Sequence, residues 1–255
     1  MKNNPIILVI NDDGISSKGI LFLSSLMSNL GEVFVIAPDS DRSGLSHSMT
    51  LNHPISIQPV DKDKNKYMCS GTPVDCVKLG VNKILPRLPD LCVSGINHGS
   101  NHSINGLYSG TLHGAMEATI QGIPSISFSH LSYDDSVDLT AYSSLITKIC
   151  LNTIKYNLPE GITLNINFPN INFDQIKGVK LCNPSKGKWH EEFNIIKKQN
   201  NKSYYKISGK FTSVNKNIET DSWALHNNFI SIVPTAINYS SDLTINELKY
   251  LENVF

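Results

Sequence analysis

The sequence predicts an α/β fold: a Rossmann-like, mostly parallel sheet with helices on both faces, then a C-terminal β-hairpin extension and a terminal helix. Three observations lead there. Short unbroken apolar runs recur, Ile6-Ile7-Leu8-Val9-Ile10 first among them, and such runs rich in β-branched residues are strands buried on both faces. Stretches with helical apolar spacing alternate with these runs, so βαβ units with parallel neighbouring strands follow. From about Ile176 the texture changes to short strand-like runs parted by polar turns, the pattern of antiparallel hairpins.

The elements fall in order. After the first run, Ser16 or Ser17 can cap a helix over 18–30, with Ile20, Leu23, Leu26, Met27 and Leu30 on one face and Gly31 ending it. Val33 to Ala37 is the second buried strand. Short strands are expected at 55–57 and 67–69, with the charged run 61–66 as a solvated hairpin tip. Thr72 and Pro73 begin a helix reaching about Leu85. Strands at 90–94, 124–128 and 163–167 alternate with helices at 112–121 and 138–156. Beyond lie strand-like runs at 177–182, 193–197, 204–208 and 229–233, and Thr244 is placed to cap a last helix. The expected organisation is one domain overall: a Rossmann-like core over 1–175 and, over 176–255, a β-rich arm with the terminal helix that reaches across to a partner subunit.

Composition narrows the function classes. With 22 basic and 22 acidic residues the formal net charge is zero, which speaks against a nucleic-acid polymer as partner but not against a small nucleotide. The five cysteines form no Cys-x-x-Cys pair and sit among apolar residues, the pattern of buried reduced thiols in a cytoplasmic protein. The first apolar run is too short for a signal peptide, and no stretch approaches a membrane span.

Chemistry concentrates at the predicted strand ends. Asn11-Asp12-Asp13-Gly14 leaves the first strand, and two adjacent carboxylates beside a hydrophobic core are costly without a positive partner. A divalent cation supplies one; an exposed turn with an Asp cap is the plainer alternative. Ser43 follows the second strand and Asn97 a later one, and ligands in open parallel sheets bind beyond the carboxyl ends of strands. Carboxylates, a hydroxyl and an amide oxygen together suit Mg²⁺ or Mn²⁺ rather than zinc or copper. Two helix starts, Ser70-Gly71-Thr72 and Ser109-Gly110-Thr111, are built to face a phosphate, although ordinary capping also explains each. A cation site and a phosphate cradle at one end of a sheet imply phosphoryl transfer to metal-activated water.

Several of these stretches together resemble one family. Asn11-Asp12-Asp13-Gly14, Arg42-Ser43-Gly44, Ser70-Gly71-Thr72-Pro73-Val74-Asp75-Cys76-Val77, Ser94-Gly95-Ile96-Asn97 and Tyr108-Ser109-Gly110-Thr111 occur in the order and spacing of the SurE family of stationary-phase survival nucleotidases. Leu164 to Pro169, Thr220-Asp221 and Ile230 to Pro234 extend the similarity over nearly the whole chain. The resemblance implies a metal-dependent 5′-nucleotidase acting on nucleoside 5′- and 3′-monophosphates, with short polyphosphate as a further substrate. It implies one Mg²⁺ or Mn²⁺ per subunit and a homodimer or homotetramer formed through an exchanged C-terminal arm. Position by position, Asp12, Asp13, Ser43 and Asn97 match the metal ligands, with Asp12 and Asp13 central to catalysis. Asn11, Gly44, Ser109, Gly110 and Thr111 match residues around the phosphate. Three positions depart from the family: Ser103 and Asn228 stand where glycine is usual, and His113 where a smaller or apolar residue is usual. His98, His102 and His113 fall near the expected site, either as a general acid or as ordinary loop histidines. The other readings of the same cleft are a non-catalytic nucleotide sensor and a phosphatase with a covalent aspartyl-phosphate.

Overall fold

The computed structural model describes residues 4–61, 65–134, 136–213, 216–238 and 248–253. Among them nine strands form one sheet. Its centre is the parallel series β4 (Lys66–Cys69), β2 (Glu32–Pro38), β1 (Ile6–Ile10), β5 (Leu91–His98), β6 (Ser125–His130) and β7 (Ile162–Phe168). β3 (Ile57–Asp61) closes one edge antiparallel to β4. The chain runs outward from β1 to β2 and β4, then returns to β5 on the other side of β1. This places the topological switch point, where open α/β sheets bind ligands, between β1 and β5.

Alternation along β1 builds both cores. Ile7 and Val9 pack with α1 (Lys18–Met27) and α4 (Ser143–Tyr156) through Ile20, Leu23, Met27, Ile146 and Cys150. Ile6, Leu8 and Ile10 face α2 (Pro73–Leu79) and α3 (Gly110–Ile120) through Cys76, Val77 and Ala118. Every residue of β1 is buried, as expected for a central parallel strand.

Several element boundaries differ from expectation for local reasons. α1 ends at Met27 rather than Leu30, because Ser28 and Asn29 turn their side chains onto the carbonyls of Ser25 and Leu26. α2 passes at Gly80 into a wider π turn over Gly80–Ile84. The helix expected from 138 begins as a 3₁₀ turn, Leu139–Tyr142, capped by Asp138. Residues 62–64 of the expected hairpin tip and the Thr244 cap lie outside the described residues; a 3₁₀ turn covers Lys249–Asn253.

The C-terminal third contains one separate antiparallel hairpin, β9 (Gly187–Gln199) with β10 (Lys202–Ser213). The runs flanking it do not form further free hairpins. β11 (Phe229–Ala236) pairs antiparallel with β7, and β8 (Gly178–Leu181) pairs parallel with β11, so both extend the main sheet. Between hairpin and β11 lies a short helix not foreseen in the sequence, α5 (Asp221–His226), whose signal is the Thr220 cap.

Candidate active site

The loop leaving β1 carries Asn11, Asp12 and Asp13. Asn11 is fully buried; its amide donates to Gly14 O at 2.9 Å and to Ser17 Oγ at 2.7 Å, tying the turn to the start of α1. Ser17, at the N-cap position, therefore spends its hydroxyl on Asn11 rather than on the helix. Asn11 Oδ1 is buried and has no hydrogen-bond partner among the described residues.

Asp12 is 3% exposed and sits where three loops meet. Its own carbonyl accepts the Arg42 N–H at 2.8 Å, which pins the loop after β2 against the loop after β1. Its carboxylate accepts a short hydrogen bond from Thr111 Oγ1 and a second from the Thr111 backbone. Burial raises the Asp12 pKa; the Thr111 hydrogen bonds oppose it and Asp41 nearby adds to it. Gly110 makes this seat possible, since a Cβ there would stand 2.8 Å from Asp12 Cβ and Oδ2. The first turn of α3 thus closes directly over a carboxylate from β1.

The other expected cation ligands lie in adjoining loops. Ser43 is exposed, and its hydroxyl and N–H both donate to Asp41 Oδ1, at 2.5 and 2.8 Å. Asn97 is the penultimate residue of β5, the strand beside β1, and its amide donates to Gly99 O at 2.7 Å. Asp13 is half-buried beside Asp12. Arg42 directs its guanidinium to Asp39 at 2.9 Å and to Ser70 O at 3.0 Å. Gly44 is exposed with φ +76° and open space around its Cα. Among the described residues no three His, Cys, Asp or Glu side chains form a metal-binding group, so a cation here would draw on Ser and Asn oxygens beside the carboxylates.

The two helix starts are not equivalent. At α2, Thr72 and Asp75 form a reciprocal capping box, and Asp75 also takes the Thr50 N–H at 3.2 Å. Asp75 therefore already supplies the negative charge at that end. At α3, Ser109 caps through Leu112 N, and the residue matching Asp75 is Leu112, so no local carboxylate fills the position. Asp12 comes from another strand instead. The residue three after the cap was the sequence signal separating the two.

The three histidines point to different tasks. His113 donates from Nδ1 to Ser109 O at 2.8 Å and packs on His47, whose Nε2 meets the buried Glu117 at 3.1 Å. His102 pairs with Ser100 Oγ at 2.9 Å and lies edge-on to Phe211. Burial lowers the pKa of both, and Asp221 partly offsets this at His102. His98 ends β5 beside Asn97. Ser103 and Asn228, the two replacements of an expected glycine, both adopt left-handed backbone, at φ +55° and +68°. Ser103 is held there by Asp221, which accepts its N–H at 2.7 Å, and by Ser185 O, which accepts its hydroxyl at 2.7 Å.

Behind this loop, Asn101 is fixed by Asn167 Oδ1 and Ser129 Oγ, each at 2.8 Å, and its carbonyl accepts from Asn165 at 2.8 Å. This buried network, from the ends of β6 and β7, explains why a polar Asn165-Ile166-Asn167 occupies an interior strand.

The chain is similar to known proteins over nearly its full length. A family model described as survival protein SurE matches residues 7–191. The 5′-nucleotidase SurE of Flavobacterium psychrophilum is 45% identical over 250 residues, 97% of each chain. That of Flavobacterium johnsoniae is 46% identical over 248 residues, 96% of each chain. Among solved structures, the SurE protein from Aquifex aeolicus matches with a TM-score of 0.85 at 35% identity, covering 98% of this chain and 100% of that one.

Proposed function

Because the chain belongs to the SurE family, we propose that it is a 5′-nucleotidase, a phosphoric monoester hydrolase that converts nucleoside 5′-monophosphates to nucleoside and phosphate. The observation that carries this reading is the buried Asp12 carboxylate, held by α3 at the β1/β5 switch point amid other oxygen-bearing side chains.

The donor set fits a hard divalent cation: two adjacent carboxylates, a hydroxyl and an amide oxygen, with the nearby Arg42 guanidinium committed elsewhere. Asp12, Asp13, Ser43 and Asn97 would hold one Mg²⁺ or Mn²⁺. When bound, the cation supplies neutralisation of phosphoryl oxygens and acidification of water. The Thr111 hydrogen bonds oppose the effect of burial on Asp12 and fix its carboxylate in place. Ser109, Gly110 and Thr111 put the start of α3 beside the position of the phosphate, and Asn11 shapes the turn carrying both aspartates. Gly44 leaves room for the ester to enter. Under this reading 3′-monophosphates and short polyphosphate are further substrates.

The hairpin supports a homodimer or homotetramer through an exchanged arm. Phe193, Ile195, Ile196, Tyr204, Tyr205 and Ile207 are all exposed on it, and a lone two-stranded ribbon with an apolar surface gains stability from a partner. Among the described residues no helix is long and apolar enough to cross a membrane.

The test is phosphate release from a panel of 5′- and 3′-nucleotides and tripolyphosphate, with Mg²⁺ or Mn²⁺ and an EDTA control. Release from 5′-monophosphates that EDTA abolishes supports the reading. Tight nucleotide binding with no release under any metal would replace it with a sensor.

A further inference from the structure

The segment after β2 carries Ser43 and Gly44 and is held by polar ties, since its Leu45, Met49 and Leu51 are all exposed. Ser43 spends its hydroxyl and N–H on Asp41 of the same segment. Its place relative to Asp12 is therefore set by the anchors on either side. Before it, the Arg42 N–H reaches Asp12 O at 2.8 Å. After it, the Ser46 N–H and hydroxyl donate to Tyr108 O and Leu107 O at 3.2 and 2.8 Å, and His47 Nε2 meets Glu117 Oε2 at 3.1 Å.

The tie to Glu117 differs from its neighbours in two ways. Its acceptor is a carboxylate 3% exposed, and hydrogen bonds to a charge are the strong ones. It also joins the Ser43 segment to α3, the helix whose first turn seats Asp12. Glu117 lies seven residues after Gly110, about two turns along α3. One rigid helix thus holds both expected cation ligands, Asp12 directly and Ser43 through His47.

Glu117 is built for this task. A buried carboxylate is costly unless its oxygens are paired. Oε1 takes Lys78 Nζ at 2.7 Å and Gln121 Nε2 at 2.9 Å, which leaves Oε2 to His47. Burial alone would push the Glu117 pKa up, but the hydrogen bonds from His47, Lys78 and Gln121 hold it below the usual value. His113, one turn before Glu117, packs its ring on His47 at 5.2 Å while its Nδ1 is committed to Ser109 O. The histidine that departs from the family pattern therefore braces the imidazole that ties down the segment.

We propose that His47 is a positioning residue: its hydrogen bond to Glu117 holds the Ser43 segment at the distance from Asp12 that a shared cation needs. The proposal rests on the cation-site reading given above.

The test is calorimetric titration of metal-free, full-length protein with Mn²⁺, with melting in EDTA to show that each variant is folded. His47 is 24% exposed, so changing it opens no hole in the core. His47→Phe keeps a ring on His113 and removes the donor; His47→Gln keeps a donor in reach of Glu117 and removes the ring. Lys78→Met strips a partner from Glu117 without touching the segment. His47→Phe is expected to bind Mn²⁺ about tenfold more weakly than wild type, and His47→Gln and Lys78→Met to bind it as wild type does. His47→Ala takes the place of His47→Phe if the latter does not fold. Wild-type affinity in the variant lacking the donor overturns the proposal. So does an equal loss in Lys78→Met, which would make Glu117 a purely structural group, and so does a failure of His47→Gln to restore binding. Wild type that binds no Mn²⁺ overturns the cation-site reading, and the role of His47 with it.

Discussion

Replacing Asp12 by Asn should make the metal-free protein more stable and nearly inactive. The side chain is 3% exposed and its burial outweighs the two hydrogen bonds from Thr111, so ionised Asp12 costs stability in the absence of a cation. Asn keeps the volume beside Gly110 and an oxygen for Thr111 Oγ1, but carries no charge. Burial disfavours the ionised carboxylate despite these hydrogen bonds, and each unit by which a pKa is raised is worth about 1.4 kcal/mol, so the variant should gain on the order of 1–2 kcal/mol at pH 7. For a chain of this size the gain is about 2–8 °C in Tm. The pH dependence has a fixed sign. The folded pKa lies above the ordinary carboxylate value, so the wild-type deficit appears as pH rises through it and vanishes toward pH 4. The assay is thermal melting in EDTA from pH 4 to pH 8, repeated with Mn²⁺, beside phosphate release from AMP. Mn²⁺ should raise the wild-type Tm and leave Asp12→Asn unmoved, and activity should fall by at least about a hundredfold. A variant no more stable than wild type at pH 7 in EDTA, or one that keeps its activity, refutes the reasoning.

Other perturbations address neighbouring parts. Gly110→Ala puts a methyl group 2.8 Å from the Asp12 carboxylate and should lower kcat at least about tenfold, read by phosphate release; wild-type turnover would show that the seat is loose. Asp221 is buried and accepts from the N–H groups of Ser103, Ser185 and Ser222 at 2.7, 2.9 and 2.6 Å, so Asp221→Ala should cost about 3 kcal/mol or more in denaturant unfolding. A loss below about 1 kcal/mol there would mean water replaces the carboxylate easily. His130 is buried and its pKa is pushed down to about 4 by burial and by His98, with Nδ1 accepting the Ser132 N–H and Tyr142 OH facing Nε2. A depressed folded pKa stabilises above the unfolded value, so wild type should lose on the order of 2 kcal/mol more than His130→Asn as pH falls from 6.5 to 4. Parallel stability profiles would sink that assignment. Gln replacements of His98, His102 and His113 should each be assayed for kcat; a general acid shows as a drop of about a hundredfold confined to one of them.

Much of the framework was legible because it is written in short-range patterns. The apolar run of β1, the apolar faces of α1 and α4 and the caps at Thr72 and Ser109 each need only a few neighbouring residues to be read. The Asn-Asp-Asp-Gly turn stands out in the same way, since adjacent carboxylates beside a buried strand need a reason whatever the fold. What stayed hidden depended on partners distant in sequence. The run at 229–233 reads as a hairpin strand, yet β11 lies between β7 and β8 in the main sheet, because apolar alternation states which face is buried but not which strand is adjacent.

The chain alone therefore determined the alternating α/β framework, the strand ends that carry oxygen donors and the family to which those motifs belong, since local sterics and apolar spacing act along the chain. Only the tertiary structure decided that Asp12 rather than a neighbour occupies the start of α3, that Asp75 fills the other helix start, and that Asp221 binds the foot of the hairpin to the loop before α3. Each of those outcomes turns on a carboxylate choosing among backbone donors, and the donors it reaches are fixed by packing across the sheet.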